Sequence, residues 1–181
     1  MRVFLDFEAS SLAKDSYPIE LAWVFEDGRE ESHLIRPAAE WSDWDPRAER
    51  IHRISRETLQ ADGEPLDDVA RRLVESLTGH DLFASAPSWD GKWLSLLLRS
   101  AGFPRHLLRL RDTEAAQTEA IAELLSAHLT EPALTRESRS ILAQVAELRA
   151  LLRVDHRALP DARMEYWAYQ RSLTLARRAA A

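Results

Sequence analysis

The sequence predicts an α/β domain built on a mixed five-stranded sheet, with three antiparallel strands followed by parallel strands and flanked by helices. Three observations indicate this class. The apolar run Arg2–Phe7 predicts a buried strand. The segments Ile19–Glu26 and Glu30–Arg36 flank Asp27-Gly28, a strong two-residue hairpin signal. Strands and helices then alternate, and the C-terminal third has helical patterns only.

The middle of the chain is divided by turn and capping residues. Pro37–Arg50 is predicted to be a polar loop, because no helical or strand period fits it. Ser55 is expected to cap a short helix over Arg56–Gln60. Pro65 is suited to the first turn of the next helix, whose apolar residues recur at helical spacing as far as Leu77.

The remaining strands and helices are predicted from the spacing of their apolar residues. Two strands are predicted, Asp81–Ala84 and His106–Arg111. Four helices are predicted, namely Asp90–Ala101, Glu114–His128, Glu137–Leu152 and Pro160–Arg178. With 181 residues and no repeat or linker, we expect a single domain over residues 1–181, with residues 177–181 frayed.

Composition excludes several classes of protein. The chain has no cysteine, so it has neither disulfides nor thiolate metal sites. Its start does not resemble a signal peptide and no apolar run approaches the ~20 residues of a membrane span, so a cytoplasmic protein without membrane contact is expected. A net charge of −6 argues against a protein that coats long nucleic acid, but not against an enzyme whose bound cations supply positive charge.

Acidic residues and one histidine are the candidates for chemistry. Asp6 and Glu8 are two residues apart in a predicted strand, so their carboxylates lie on the same face. Two like charges so close together favour a cation between them. The same pattern is also expected where a strand simply ends in acids that are exposed to water. Asp90 opens a helix, where Asp also serves as an N-cap. His156 and Asp161 stand on either side of Pro160, an uncommon arrangement, although they equally suit a surface histidine and a helix-dipole partner.

The order and spacing of these residues resemble the DEDDh (DnaQ-like) 3′→5′ exonuclease family of RNase H-like fold. Asp6-Phe7-Glu8 looks like its first motif, Asp90 falls at its second, and His156 with Asp161 matches its third, H-x(4)-D. Three further segments are similar to family segments: Tyr17–Leu21, Ile51–Ser55 and Asp112-Thr113. The resemblance extends from Arg2 to about Tyr169. The chain departs from the family pattern at Ala9, Arg53, Ala86 and Trp89.

The resemblance implies a two-metal phosphodiesterase using Mg²⁺ or Mn²⁺. Asp6 would bridge both ions, Glu8 and Asp161 would bind the ion on the nucleophile side, and Asp90 would act through water. His156 would be the general base, because an imidazole titrates near neutral pH. Carboxylate oxygens are the ligands that such hard cations prefer.

Substrate and partners follow from the same resemblance. The expected partner is the 3′ end of single-stranded DNA, RNA or a short oligonucleotide, and a homodimer is left open. Phe7, Trp89 and Arg53 are the candidates for substrate contacts. Three further tryptophans are candidate stacking platforms, Trp41, Trp44 and Trp93, with core packing preferred for the last. Two alternatives remain: a weakly active or inactive exonuclease-fold module that binds nucleic acid or a protein, and a helical interaction protein, which leaves the hairpin and paired acids unexplained.

Overall fold

The structure, a computed structural model, describes residues 1–153 and 155–180 and has a six-stranded mixed sheet. The strands are β1 (Arg2–Ala9), β2 (Pro18–Phe25), β3 (Glu30–Arg36), β4 (Glu64–Pro65), β5 (Asp81–Ala84) and β6 (Leu110–Asp112). Their order is β4-β3-β2-β1-β5-β6. β2 runs antiparallel to β1 and β3, whereas β5 is parallel to β1 and β6 to β5. The predicted α/β class and strand directions are confirmed.

The count of five strands was one too low. The additional strand is β4, a two-residue segment that pairs in parallel with the end of β3. Two residues cannot display an alternating pattern, so a strand of this length leaves no periodic signal in the sequence.

The described part of the chain contains seven helices. They are α1 (Pro46–His52), α2 (Arg56–Asp62), α3 (Leu66–Leu77), α4 (Pro87–Ser100), α5 (Thr113–Leu125), α6 (Glu131–Ala150) and α7 (Ala158–Ala180). Among these helices, none has both the length and the apolar character that a bilayer-crossing segment requires.

Strand β1 lies inside the sheet, between β2 and β5, and separates two apolar layers. Val3, Leu5 and Phe7 belong to the main core, which also includes α3 and α4. Phe4 points to the other face, where its ring lies 5.9 Å from that of Phe83 and 5.1 Å from that of Tyr169 on α7. Because strand side chains alternate, Asp6 and Glu8 share the face of Phe4, which α7 covers.

Helix α1 falls partly within Pro37–Arg50, so the prediction of a loop over that whole segment was wrong from Pro46 onwards. The helix has only seven residues, too few for an apolar period to stand out. Its start is fixed by a local contact, since the Asp45 side chain accepts a hydrogen bond from the Arg47 amide at 2.8 Å. The predicted Ser55 cap is confirmed, with its hydroxyl accepting from the Thr58 amide at 3.1 Å.

Several predicted boundaries were shifted. Helix α4 begins at Pro87, so Asp90 lies inside its first turn and the N-cap interpretation of Asp90 was wrong. Strand β6 begins four residues later than predicted, α5 ends at Leu125, and α6 begins at Glu131, six residues early. Helix α7 reaches Ala180, so most of the predicted frayed tail is helical, and Ala181 lies outside the described residues.

Arg53 ends α1 in the left-handed region, with φ 60° and ψ 29°. An L-residue there is strained by its Cβ, whereas glycine is not. We expect Arg53→Gly to stabilise the protein by about 0.5–1 kcal/mol and to raise the melting temperature by about 2–4 °C. Differential scanning calorimetry would measure this shift. Arg50→Gly, inside the same helix, is the matched control and should destabilise; a lower melting temperature for Arg53→Gly would contradict the prediction.

Candidate active site

Three carboxylates meet at the C-terminal end of β1. Asp6 and Glu8 project from the strand toward α7, and Asp161 lies in the first turn of that helix. One ligand oxygen from each of the three lies within 4.8 Å of the others. All three side chains are partly buried. The structure therefore brings together two residues from the first strand and one from the last helix.

The start of α7 is fastened to the sheet by Glu20. This buried residue of β2 is paired directly across from Glu8. Its carboxylate accepts hydrogen bonds from the Arg157 guanidinium at 2.9 and 2.5 Å and from the Ala158 backbone amide at 2.9 Å. These bonds satisfy a backbone N–H at the N-terminus of α7 and fix the position of the first turn of that helix relative to the sheet. Asp161 is thereby held above β1.

Asp90 is the fourth predicted acid, and it lies on α4, which packs on the face of the sheet opposite to α7. The first turn of α4 follows β5, which is parallel to β1, so Asp90 reaches the same end of the sheet. Its side chain is only 3% exposed, and its Oδ2 has no hydrogen-bond donor among the described residues. Asp90 is not part of the group of three within 4.8 Å, but its charge raises the pKa of Asp6.

His156 precedes α7 and completes the predicted set. It is exposed, has a positive φ of 50°, and lies with Glu8 on the lining of one cavity. Its charge also acts on Asp161, whose pKa is raised by burial and lowered by His156. All five residues taken from the family motifs therefore converge on one end of the sheet.

Burial and mutual repulsion raise the pKa values of these acids. Burial raises the pKa of Asp6 well above its ordinary value, and the charges of Asp90 and Glu8 raise it further. Burial, followed by the charge of Asp161, raises the pKa of Glu8 to about 8. Burial raises the pKa of Asp90 to about 7, opposed by a backbone hydrogen bond at Ala86. Without a cation the site resists holding all its negative charges at neutral pH.

These shifts predict that the metal-free protein loses stability as the pH rises from about 5 to 8. Folded Glu8, with a pKa of about 8 against an ordinary 4.5, binds a proton over that range that the unfolded chain has released. The proton stabilises the folded state until the pH passes the folded pKa, by at most about 1.4 kcal/mol per pH unit. Asp90 contributes with the same sign up to about pH 7.

Urea denaturation in EDTA at several pH values would measure the effect. Burial lowers the pKa of His52, which adds stability as the pH rises toward 6.5 and therefore opposes the trend. The variant Glu8→Gln retains His52, so the difference between the two proteins isolates Glu8. Equal slopes between pH 7 and 8 in the two proteins would contradict the assignment.

The donor set fits divalent cations such as Mg²⁺ or Mn²⁺. It consists of carboxylate oxygens, which hard cations prefer, and the three closest oxygens are spaced as ligands of a shared ion would be. The buried Asp90 Oδ2, to which no described residue donates, provides a further oxygen. A positive charge at this position would also remove the repulsion that raises the pKa values of the acids.

A cavity of about 250 Å³ lies beside Glu8 and His156. Its lining includes the predicted Phe7 and the candidate platform Trp93, together with two residues that were not proposed as site residues from the sequence, Ile51 and His52. His52 is buried; its Nδ1 accepts a hydrogen bond from the Ile54 amide, and its Nε2 has no partner in the described part of the chain. The similarity of Ile51–Ser55 to a family segment was the available signal for His52.

Two predicted substrate contacts lie outside this cavity. Trp89 is 39% exposed, and its ring stacks on Trp93 at 5.7 Å. Arg53 lines a separate surface cavity with Arg50. Both remain predictions.

The other candidate tryptophans make packing contacts. Trp41 is buried with its ring 5.2 Å from that of Tyr17. The Trp44 indole N–H donates to Glu49 at 2.7 Å. Trp93 is buried and donates to the Ser16 hydroxyl at 3.1 Å, in agreement with the preference for core packing.

Comparison with solved structures relates the fold of this chain to that of exonuclease I. The apo structure of exonuclease I aligns over 98% of this chain with a TM-score of 0.67 and 15% identity. A zinc-bound complex of E. coli exonuclease I with single-stranded DNA aligns over 98% with a TM-score of 0.66 and 16% identity. A complex of the E. coli enzyme with a dT13 oligonucleotide aligns over 93% with a TM-score of 0.64 and 15% identity.

These alignments show that the chain shares its fold with part of exonuclease I. The chain spans about two fifths of the exonuclease I chains with which it aligns, namely 43%, 41% and 40% of the three. No protein-family model matches the sequence, and no curated protein matches it significantly.

Proposed function

We propose that this chain is a divalent-metal-dependent 3′→5′ exonuclease that hydrolyses phosphodiester bonds at the 3′ end of single-stranded DNA or RNA. The observation that carries the proposal is the convergence of Asp6, Glu8 and Asp161, whose ligand oxygens lie within 4.8 Å of one another beside a cavity lined by His156. The exonuclease I fold supports the proposal. We also propose that residues 1–181 act as one exonuclease domain.

Four acids would hold two divalent ions. Asp6 is proposed to contact both, because its ligand oxygen lies within 4.8 Å of those of Glu8 and Asp161 and the charge of Asp90 acts on it. When bound, the ions would promote ionisation of the attacking water and neutralise charge that develops on the phosphate. They would also cancel a negative field that otherwise repels the substrate, in a chain whose net charge is already −6.

His156 is proposed to accept the proton from the attacking water. It is solvent-exposed, so the proton can pass on to bulk water, and it shares the cavity lining with Glu8. The neighbouring Arg157 donates hydrogen bonds to Glu20, which anchors the residue next to His156 to β2. We therefore expect the imidazole to stay near Glu8, with which His156 shares the cavity lining.

The cavity beside Glu8 is proposed to receive the terminal nucleoside. Its volume of about 250 Å³ is below the ~300–1,000 Å³ of pockets that bury drug-sized ligands, which suits one nucleoside rather than a longer segment. Phe7 and Trp93 offer apolar surface to a base. The buried Nε2 of His52, which lacks a partner within the described residues, is available for a hydrogen bond to the nucleoside.

A labelled-substrate assay tests the proposal. Single-stranded DNA and RNA, each labelled at the 5′ end, would be incubated with Mg²⁺, Mn²⁺ or EDTA. We expect a ladder of products that shorten one nucleotide at a time with a divalent metal and intact substrate with EDTA. The same substrate with a 3′-terminal phosphate tests whether a free 3′ end is required.

The Asp6→Asn protein, purified in the same way, controls for contaminating nucleases. No shortening of either substrate with any metal would refute the proposal. Binding of the intact oligonucleotide without cleavage would then support the alternative of an inactive exonuclease-fold module.

A further inference from the structure

Glu165 is a buried acid that the family motifs do not include. It lies one turn after Asp161 on α7, so both side chains project from the same face of the helix. Its side chain is only 1% exposed. Its Oε1 accepts a hydrogen bond from the Arg149 guanidinium near the end of α6. Its Oε2 is buried and receives no donor from any described residue.

The charge of Glu165 acts on the acids of the candidate active site. It raises the pKa values of Asp6, Asp90 and Asp161. For Asp90 it is the largest effect of any single charge. Glu165 therefore adds a fifth acidic group to a site in which the four other carboxylates already repel one another.

Glu165 and Asp90 share an unusual feature. Each is almost fully buried, and each has one carboxylate oxygen without a donor in the described structure. A buried charged oxygen that lacks a hydrogen bond is costly, and binding of an ion is a common explanation for one. Glu165 lies one helical turn after Asp161, which is one of the three acids spaced as ligands, so its unsatisfied oxygen and that of Asp90 indicate that positive charge belongs in this acidic region.

A purely structural ion pair between Arg149 and Glu165 explains less. A buried ion pair stabilises a protein when hydrogen bonds satisfy the remaining oxygens, and here one oxygen stays unsatisfied. The Arg149 side chain is also 41% exposed, so water screens its half of the pair. A cavity of about 280 Å³, lined by Arg149, Glu165 and the buried Thr113, leaves room beside the pair for solvent.

We propose that Glu165 belongs to the cation site and that, together with Asp90, it binds the second of two divalent cations, while Arg149 compensates its charge. This inference rests on the proposed function, because it assigns a further residue to the same site. It also gives the Arg149 contact a role: the guanidinium supplies positive charge to Glu165 in the metal-free protein.

Manganese binding to the whole chain tests the inference without relying on activity. Isothermal titration calorimetry would be combined with electron paramagnetic resonance, which counts free Mn²⁺. We expect two Mn²⁺ ions per wild-type chain. In Glu165→Gln the first ion should bind as in wild type, and the second should bind roughly 10- to 100-fold more weakly. The control is Glu30→Gln, which removes another ion pair with α7, that of Glu30 and Arg163, and should titrate as wild type.

Arg149→Gln separates metal binding from a structural role. It removes the guanidinium but keeps every acid, so its second Mn²⁺ should bind at least as tightly as in wild type. If Glu165→Gln is unfolded by circular dichroism, the double variant Arg149→Gln/Glu165→Gln, which leaves no unpaired charge, replaces it.

An unchanged titration of Glu165→Gln would overturn the inference. So would equal weakening by Glu165→Gln and Arg149→Gln, because a structural pair predicts equal effects. Failure of the wild-type chain to bind any Mn²⁺ would instead refute the proposed function.

Discussion

Replacing Asp6 by Asn is expected to lower kcat/KM for single-stranded substrate by about 10³- to 10⁴-fold. Asp6 is the acid on which Asp90, Glu8 and Asp161 all act, so its loss removes the carboxylate common to both proposed ions. Bound divalent ions contribute several kcal/mol of transition-state stabilisation, and each ~1.4 kcal/mol is tenfold in rate. Steady-state kinetics with a labelled oligonucleotide in Mg²⁺ would measure the loss.

The same substitution should stabilise the metal-free protein. Burial and neighbouring acids raise the pKa of Asp6, so a neutral side chain removes a repulsion that the folded state bears. We expect a gain of about 0.5–2 kcal/mol in EDTA at pH 8, the usual size for neutralising a strained functional site. In Mn²⁺ the wild-type protein should be the more stable of the two, because a metal ion stabilises only a protein that binds it. Lower stability of Asp6→Asn in EDTA would contradict this account.

Replacing His156 by Ala is expected to lower kcat by about 10²- to 10⁴-fold, the usual contribution of a general base. His156 is exposed and its side chain is not part of the core, so folding should be unaffected. Because it is not an acid of the cation site, the affinity for Mn²⁺ should stay within about twofold of wild type. Single-turnover kinetics and calorimetric Mn²⁺ titration measure the two properties separately.

His128 offers a matched control. It is an exposed histidine just beyond α5, and His128→Ala should leave both kcat and Mn²⁺ affinity unchanged. Turnover of His156→Ala at the wild-type rate would remove His156 from the proposed mechanism. Loss of Mn²⁺ binding together with turnover would show that His156 acts as a ligand or as a structural residue instead.

Local chemistry explains which elements were predicted well. The hairpin at Asp27-Gly28 was correct because the turn needs a positive φ that glycine adopts without strain, and Gly28 has φ 89°. The Ser55 cap depends on a hydrogen bond between residues three apart. In contrast, the early start of α7 at Ala158 depends on Glu20, 138 residues away, which accepts its amide hydrogen. A contact between such distant residues leaves no local pattern.

The site shows the same division. Asp6 and Glu8 share a face because strand side chains alternate, so their proximity was predictable from spacing alone. Asp90, His156 and Asp161 were proposed as site residues from the family motifs. Glu165 matched no motif. The local sequence around a helical acid does not show whether its side chain faces solvent or is buried. Its burial depends on the packing of α6 against α7.

The sequence by itself determined the fold class, the two strands of the hairpin and most helices, and it supplied four acids and one histidine as candidate site residues. These follow from side-chain periods, turn residues and motif spacing, which act over a few residues. Only the tertiary structure decided that β1, α4 and α7 meet at one end of the sheet, that His52 lines the cavity, and that Glu165 is buried. Those facts depend on which distant segments pack together, and the burial and repulsion that raise the carboxylate pKa values exist only after that packing.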